Sequence, residues 1–93
     1  MFIGAATIEL EITDSATLKD KRQVVKSLLD RIRGRFNVSA AEVDRLDSPR
    51  RATLAIAAVA NQGAFVHSVL EKVVDLIERE PRAVVADYRI EIV

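Results

Sequence analysis

Residues 2–12 read FIGAATIELEI, and this stretch decides the fold. From position 6 onward, polar residues alternate with four apolar ones: Ala6, Ile8, Leu10 and Ile12. These apolar residues are at even positions, as is Phe2. A period of two is typical of a strand that buries one face and leaves the other in water. The stretch therefore predicts a first strand over residues 2–12, in a sheet that is covered on one side.

Two helical patterns follow. Thr17 and Asp20 have the spacing of a capping box, which predicts that a helix begins near Leu18. Its apolar residues recur at spacings of three, four and seven and form one stripe: Leu18, Val25, Leu28, Leu29, Ile32 and Phe36. A second helix follows the break at 61–63, ends before Pro81, and is defined by Phe65, Val66, Val69, Leu70, Val73, Val74, Leu76 and Ile77.

Three more strands are expected, over Val38–Arg45, Ala52–Ala60 and Val84–Val93. The turn residues 47–49 join the first two of them in a hairpin with a basic tip. The resulting order is βαββαβ, and right-handed crossovers place both helices on the same side. The sequence therefore predicts one domain over residues 1–93, an α+β ferredoxin-like sandwich with an antiparallel four-stranded sheet and two helices on one face.

Composition argues against catalysis and cofactors. The chain has no cysteine, its three glycines are scattered, and its lone histidine, His67, has no second ligand at metal-binding spacing. Its longest apolar run, Leu54–Ala60, is far below the roughly 20 residues that span a bilayer. We expect a cytoplasmic protein that is not an enzyme and has no cofactor, no metal and no membrane association.

The charge is zero overall but uneven along the chain. Residues 18–51 contain ten bases and five acids. On a helical wheel, four bases of the first helix fall within a sector of about 60°, and the hairpin tip adds two; together they are Lys19, Arg22, Lys26, Arg33, Arg50 and Arg51. Lys21, Arg31 and Arg35 are expected elsewhere on the exposed circumference. The cluster is the electrostatic signature of phosphate binding; the alternative is an ordinary solvated helix face.

The uncovered face of the sheet combines acids with small apolar residues. Glu9, Glu11, Asp87 and Glu91 should point outward, together with Glu42 or Asp44. The same face should show an apolar strip formed by Ile3, Ala5, Ala55, Ala57 and Val59. A partner or a second copy of the chain would cover such a strip, whereas alanines add so little exposed area that the strip needs no cover; both interpretations remain open.

Two stretches, TLKDKR at 17–22 and RGRFNVSAAEVD at 33–44, resemble the YlxP-like family of small bacterial proteins, which is defined as a domain of unknown function. The resemblance extends over the whole chain. It implies a ferredoxin-like fold, a bacterial cytoplasmic setting and genomic neighbours among translation and ribosome-assembly genes. That context favours RNA as the partner.

Two hypotheses follow from the sequence. The first is an accessory protein that contacts structured RNA or a ribosomal particle through the basic helix. The second is an interaction module that forms a homo-oligomer or binds another protein through its sheet face or a strand edge.

Overall fold

A computed structural model describes residues 1–93 and confirms the βαββαβ order. Strand bounds differ from the sequence prediction by at most one residue. The elements are β1 (Phe2–Ile12), α1 (Leu18–Arg35), β2 (Ser39–Asp44), β3 (Arg51–Ala60), α2 (Gly63–Glu78) and β4 (Ala83–Ile92).

The four strands form one antiparallel sheet in the order β2-β3-β1-β4. The long strand β1 is central, with β3 and β4 on either side. Each helix connects two parallel strands across an intervening antiparallel one, and this skipped-strand connection places both helices on the same face. The α+β ferredoxin-like class predicted from the sequence is confirmed.

The core lies between the sheet and the two helices. Even-numbered residues of β1 from Gly4 to Ile12 and of β3 from Ala52 to Ala58 are buried, in the period of two predicted from residues 2–12, and the stripes of α1 and α2 pack against them. Thr17 caps α1 by accepting a hydrogen bond from the Asp20 backbone N–H, and the Asp20 carboxylate accepts one from the Thr17 N–H. The predicted capping box is present, so α1 starts where the sequence places it.

Lys21 contradicts the sequence prediction, because its side chain is fully buried and not exposed. It lies on the apolar stripe of α1 together with Val25, Leu28 and Ile32. Its ammonium group is 2.7 Å from the carboxylate of Glu42, so Glu42 faces the helices. Asp44 lies opposite Thr53 in the strand register and faces the uncovered side of the sheet. The ion pair compensates the cost of burying the lysine.

A second ionic contact joins α1 to the turn between α2 and β4. Glu80 follows α2 and is 5% exposed, and its carboxylate accepts hydrogen bonds from Arg31 of α1 and from Arg82. The hydrogen bond from the Arg82 guanidinium is the main reason that the pKa of Glu80 falls to about 2. No helix of the structure has the length and apolarity required to cross a bilayer.

Candidate nucleic-acid interface

The two helices differ strongly in charge. Helix α1 contains seven basic and two acidic residues, whereas α2 contains one lysine, three acids and a histidine. Because one α1 base, Lys21, is buried in its ion pair, six basic side chains remain on the exposed circumference. The helical layer therefore has a positive half on α1 and a negative half on α2.

Two bases of the predicted cluster are exposed and have no acidic partner. Lys19 and Arg22 take part in no ion pair or side-chain hydrogen bond. Lys26 is 2.6 Å from Asp30 in an exposed pair, and the hydrogen bond from Lys26 lowers the pKa of Asp30. Exposed pairs of this kind contribute about 0–1 kcal/mol, so Lys26 can exchange Asp30 for a phosphate at little cost.

At the C-terminal end of the cluster, Arg33 is hydrogen-bonded to a backbone carbonyl. The Arg33 guanidinium donates a hydrogen bond to the carbonyl of Ala40 on edge strand β2. This contact places the basic flank of α1 on the β2 side of the molecule. A carbonyl does not neutralise a guanidinium, so Arg33 retains its charge. At about 1.5 Å per helical residue, the four helix bases extend over roughly 21 Å.

The side chains of the two hairpin-tip arginines, Arg50 and Arg51, lie on different sides of the sheet. Arg50 Nε donates to the carbonyl of Ser15 at 3.2 Å, which brings this side chain next to the start of α1. Arg51 lies over the uncovered sheet face, where it is 3.8 Å from Glu11. The structure thus places Arg50 beside the segment that precedes α1 and directs Arg51 to the uncovered side of the sheet. Between them lies an open cleft of about 660 Å³ that is also lined by Asp14 and Glu11.

The predicted apolar strip is assembled by the β1–β3 register. Ile3 lies opposite Val59 and Ala5 lies opposite Ala57, while Ala55 is one pair further along. The Ile3 and Val59 side chains are 42% and 61% exposed. These residues occupy one end of the uncovered face. The other end is charged, because Glu9 there accepts hydrogen bonds from Thr53 and Arg45.

The aromatic side chains are absent from the uncovered face. Phe2 is in phase with the buried residues of β1, and Tyr88 pairs with the buried Ile8, so both lie on the helix side of the sheet. The Tyr88 hydroxyl donates to Glu71 of α2 at 3.4 Å. His67 is exposed on α2, 3.8 Å from Glu71. The uncovered face therefore offers no ring on which a base could stack.

These features define a small α+β protein with a basic helix and a partly apolar uncovered sheet face. A solved structure of a de novo designed protein with a ferredoxin fold superposes with a TM-score of 0.56, covering 99% of this chain and 85% of that one at 12% identity. Residues 3–90 match the family described as protein of unknown function (DUF503). The uncharacterized protein YlxP of Bacillus subtilis (strain 168) is 37% identical over 79 residues, covering 85% of this chain and 86% of that protein. The chain belongs to the DUF503 family, which agrees with the YlxP-like resemblance noted in the sequence.

Proposed function

We propose that this protein is a non-enzymatic accessory protein of the bacterial cytoplasm that binds the phosphate backbone of structured RNA, free or within a ribosomal particle, through one flank of α1. The proposal is supported above all by Lys19 and Arg22, which are exposed and unpaired next to the weakly paired Lys26. Arg33 extends the same positive flank toward the C-terminal end of α1, and Arg50 adds a positive charge beside Ser15, before the helix begins.

The position of these bases argues against a purely structural role. Cations are favourable near the C-terminus of a helix and unfavourable near its N-terminus, where the backbone N–H groups are unsatisfied. Lys19 lies in the first turn of α1 and therefore opposes its dipole, and Arg22 follows in the second turn. Helix stability does not explain them. Their field adds to that of the helix N-terminus, and both attract an anion.

The chemistry of the surface favours duplex or folded RNA over single strands. Proteins that bind single strands stack nucleobases on aromatic rings. No aromatic ring accompanies the basic side chains of α1, and none lies on the uncovered face. Lysine and arginine contacts to phosphates position a nucleic acid without reading its sequence. Binding should therefore depend on shape and on salt, with little sequence preference.

A titration with ribosomal RNA tests the proposal. Fluorescence anisotropy of the labelled protein would be measured at two salt concentrations, about 50 and 200 mM. If three or four phosphates are neutralised, the log–log slope of affinity against salt should be roughly −2 to −4. Absence of binding at the lower salt concentration would refute the RNA proposal.

The second candidate is an interaction module that forms a homodimer through the uncovered face. The exposed pairs Ile3–Val59 and Ala5–Ala57 form a continuous apolar strip, and this observation favours it. Sedimentation velocity at micromolar concentration would detect the dimer. Ala57→Glu should convert it to a monomer because it places a charge within the strip, whereas a wild-type chain that sediments as a monomer would exclude this candidate.

A further inference from the structure

Edge strand β2 is shorter than its neighbour β3. Because β2 begins only opposite Ala57, the last residues of β3 have an open edge on that side. The register pairs Ser39 of β2 with Ala57 of β3, and β3 continues to Ala60. On its other side β3 remains paired with β1 through this stretch, where Val59 lies opposite Ile3. Residues 58–60 therefore have a neighbouring strand only on the β1 side.

The backbone of Val59 points toward this open edge. The carbonyl of Ile3 accepts a hydrogen bond from the N–H of Val93 at 2.7 Å, on the β4 side of β1. In an antiparallel ladder, residues directly opposite each other either exchange both hydrogen bonds or direct both sets of backbone groups apart. The backbone N–H and C=O of Ile3 point toward β4. The backbone N–H and C=O of Val59, directly opposite, therefore point away from β1. The ten backbone hydrogen bonds formed outside the helices and strands include none from Val59.

A groove of about 360 Å³ lies beside the open edge and is mainly apolar. Phe36 follows the end of α1, and Phe65 and Val69 lie on the flank of α2, so the groove separates the two helices at this end. Phe65, whose ring lies on the helix side of the sheet, is 59% exposed. The groove thus exposes apolar surface next to unsatisfied backbone groups.

The rim of the groove is basic. Arg35 and Lys72 both line it, and neither forms an ion pair or a side-chain hydrogen bond. No acidic residue lines the groove itself. Its charge therefore complements a carboxylate, and its apolar floor disfavours a nucleic-acid phosphate, which would lose hydration without gaining contacts there.

We propose that this groove is a docking site for an extended, acidic segment of a partner protein, which adds a short β-strand to β3 at Val59. The segment's backbone would exchange hydrogen bonds with Val59, as in recognition by strand addition. Since every second side chain of a strand lies on the same face, an apolar residue would face Phe36 and Phe65 while an Asp or Glu two positions away reaches Arg35 or Lys72. The site lies beyond the RNA-binding flank, because none of the bases assigned to that flank lines the groove.

A displayed library of random heptapeptides, selected on the intact protein, tests this inference. Enriched peptides should combine an aliphatic or aromatic residue with Asp or Glu. The affinity of the best peptide should fall at least tenfold for Val59→Pro, which removes the edge N–H without breaking a bond to β1, and for Lys72→Glu. Val59→Thr retains the N–H and should bind within threefold of wild type, as should Arg22→Glu on the RNA flank and Ala57→Glu on the uncovered face.

Hydrogen exchange supplies a measurement that does not depend on the proline variant. The Val59 amide should exchange rapidly in the free protein and slow at least tenfold when the selected peptide is bound. Failure to enrich any peptide, enrichment of peptides without acids, or unchanged exchange at Val59 would each overturn the inference. Loss of RNA binding by Lys72→Glu with peptide binding unchanged would also overturn it, because the rim would then belong to the RNA site.

Discussion

The ammonium group of Lys21 lies 2.7 Å from the carboxylate of Glu42, with the lysine side chain fully buried and the glutamate side chain 13% exposed. The same ammonium donates to the carbonyls of Arg45 and Leu46, at 3.0 and 3.2 Å. Arg45 has a φ of 58°, in the left-handed region that non-glycine residues seldom adopt. Lys21 therefore joins the first turns of α1 to β2 and to the strained start of the β2–β3 turn.

Lys21→Met should destabilise the protein by about 2–4 kcal/mol, since it leaves a largely buried carboxylate without its partner and two carbonyls without a donor. Urea denaturation monitored by circular dichroism would measure the loss. The double variant Lys21→Met with Glu42→Leu should recover more than half of it, because the unpaired charge is removed. A loss below about 1 kcal/mol for the single variant would contradict a structural role for the pair.

Lys26→Met is the matched control, because Lys26 is on the same helix and pairs with Asp30 at a similar distance in an exposed position. Its cost should stay below about 0.5 kcal/mol. The contrast between the two variants isolates burial as the cause. Equal losses would show that helix propensity, and not the buried contact, controls stability at both positions.

Lys21 also shows where sequence reasoning about α1 succeeds and where it does not. The stripe of Val25, Leu28 and Ile32 is visible because apolar residues recur at helical spacing. Lys21 occupies the next position of the same stripe, four residues before Val25, but a lysine there is interpreted as exposed when no partner is known. The partner, Glu42, is 21 residues away, and only the packing of α1 on β2 brings the two together.

The fold can be predicted from the sequence to a greater extent than the candidate surfaces can. Alternation in residues 2–12 and the capping box at Thr17 identify local structure, and the topology follows from the order of elements. The open edge at Val59 depends instead on where β2 stops pairing, which is a property of the register. The register of the β2–β3 pair shifts at the bulge between Glu42 and Asp44, and the residue at which the pairing stops has no local sequence signal.

Stability should fall in acid because of Glu80. The Arg82 and Arg31 guanidinium groups hold its pKa at about 2, against an ordinary value of 4.5. A lowered folded-state pKa contributes stability above the unfolded value, and this contribution is lost as pH falls through the folded value. The contribution at pH 7 is about 2 kcal/mol, after allowance for the half-exposed arginines. It should decline between about pH 4.5 and pH 2.

Glu80→Gln tests this pH dependence. Urea unfolding at pH 7 should show a loss of about 2 kcal/mol, and the difference from wild type should narrow steadily below pH 4.5. Glu78→Gln is a suitable control because Glu78 is an exposed acid at the end of α2 and forms no ion pair. If the difference between Glu80→Gln and wild type is the same at pH 7 and pH 3, the assigned ionic contacts of Glu80 are wrong.

Gly4 and Gly34 should respond in opposite directions to substitution by alanine. A Cβ atom at Gly4 would meet Val66 and would lie 2.9 Å from Cδ1 of Leu70, whereas one at Gly34 has no atom within 4 Å. Gly4→Ala should therefore cost about 1–3 kcal/mol by overpacking β1 against α2. Gly34→Ala lies within α1 and should stabilise the protein by about 0.5–1 kcal/mol. Thermal denaturation of both variants would decide, and a neutral Gly4→Ala would show that α2 can move away from β1.

The RNA proposal makes its sharpest prediction at Arg22. Arg22→Glu should weaken binding to ribosomal RNA about tenfold near 50 mM salt and should reduce the salt slope by about 1, since one phosphate contact is lost. Unfolding does not account for such a loss, because Arg22 is exposed and forms no ion pair, and substitutions at such surface positions usually change stability by no more than about 0.5 kcal/mol. Lys72→Glu on α2 changes the net charge by the same amount at an exposed base outside the RNA flank. If both variants weaken binding equally, the RNA responds to overall charge and α1 is not its binding surface; if only Arg22→Glu does, the basic flank of α1 is the contact.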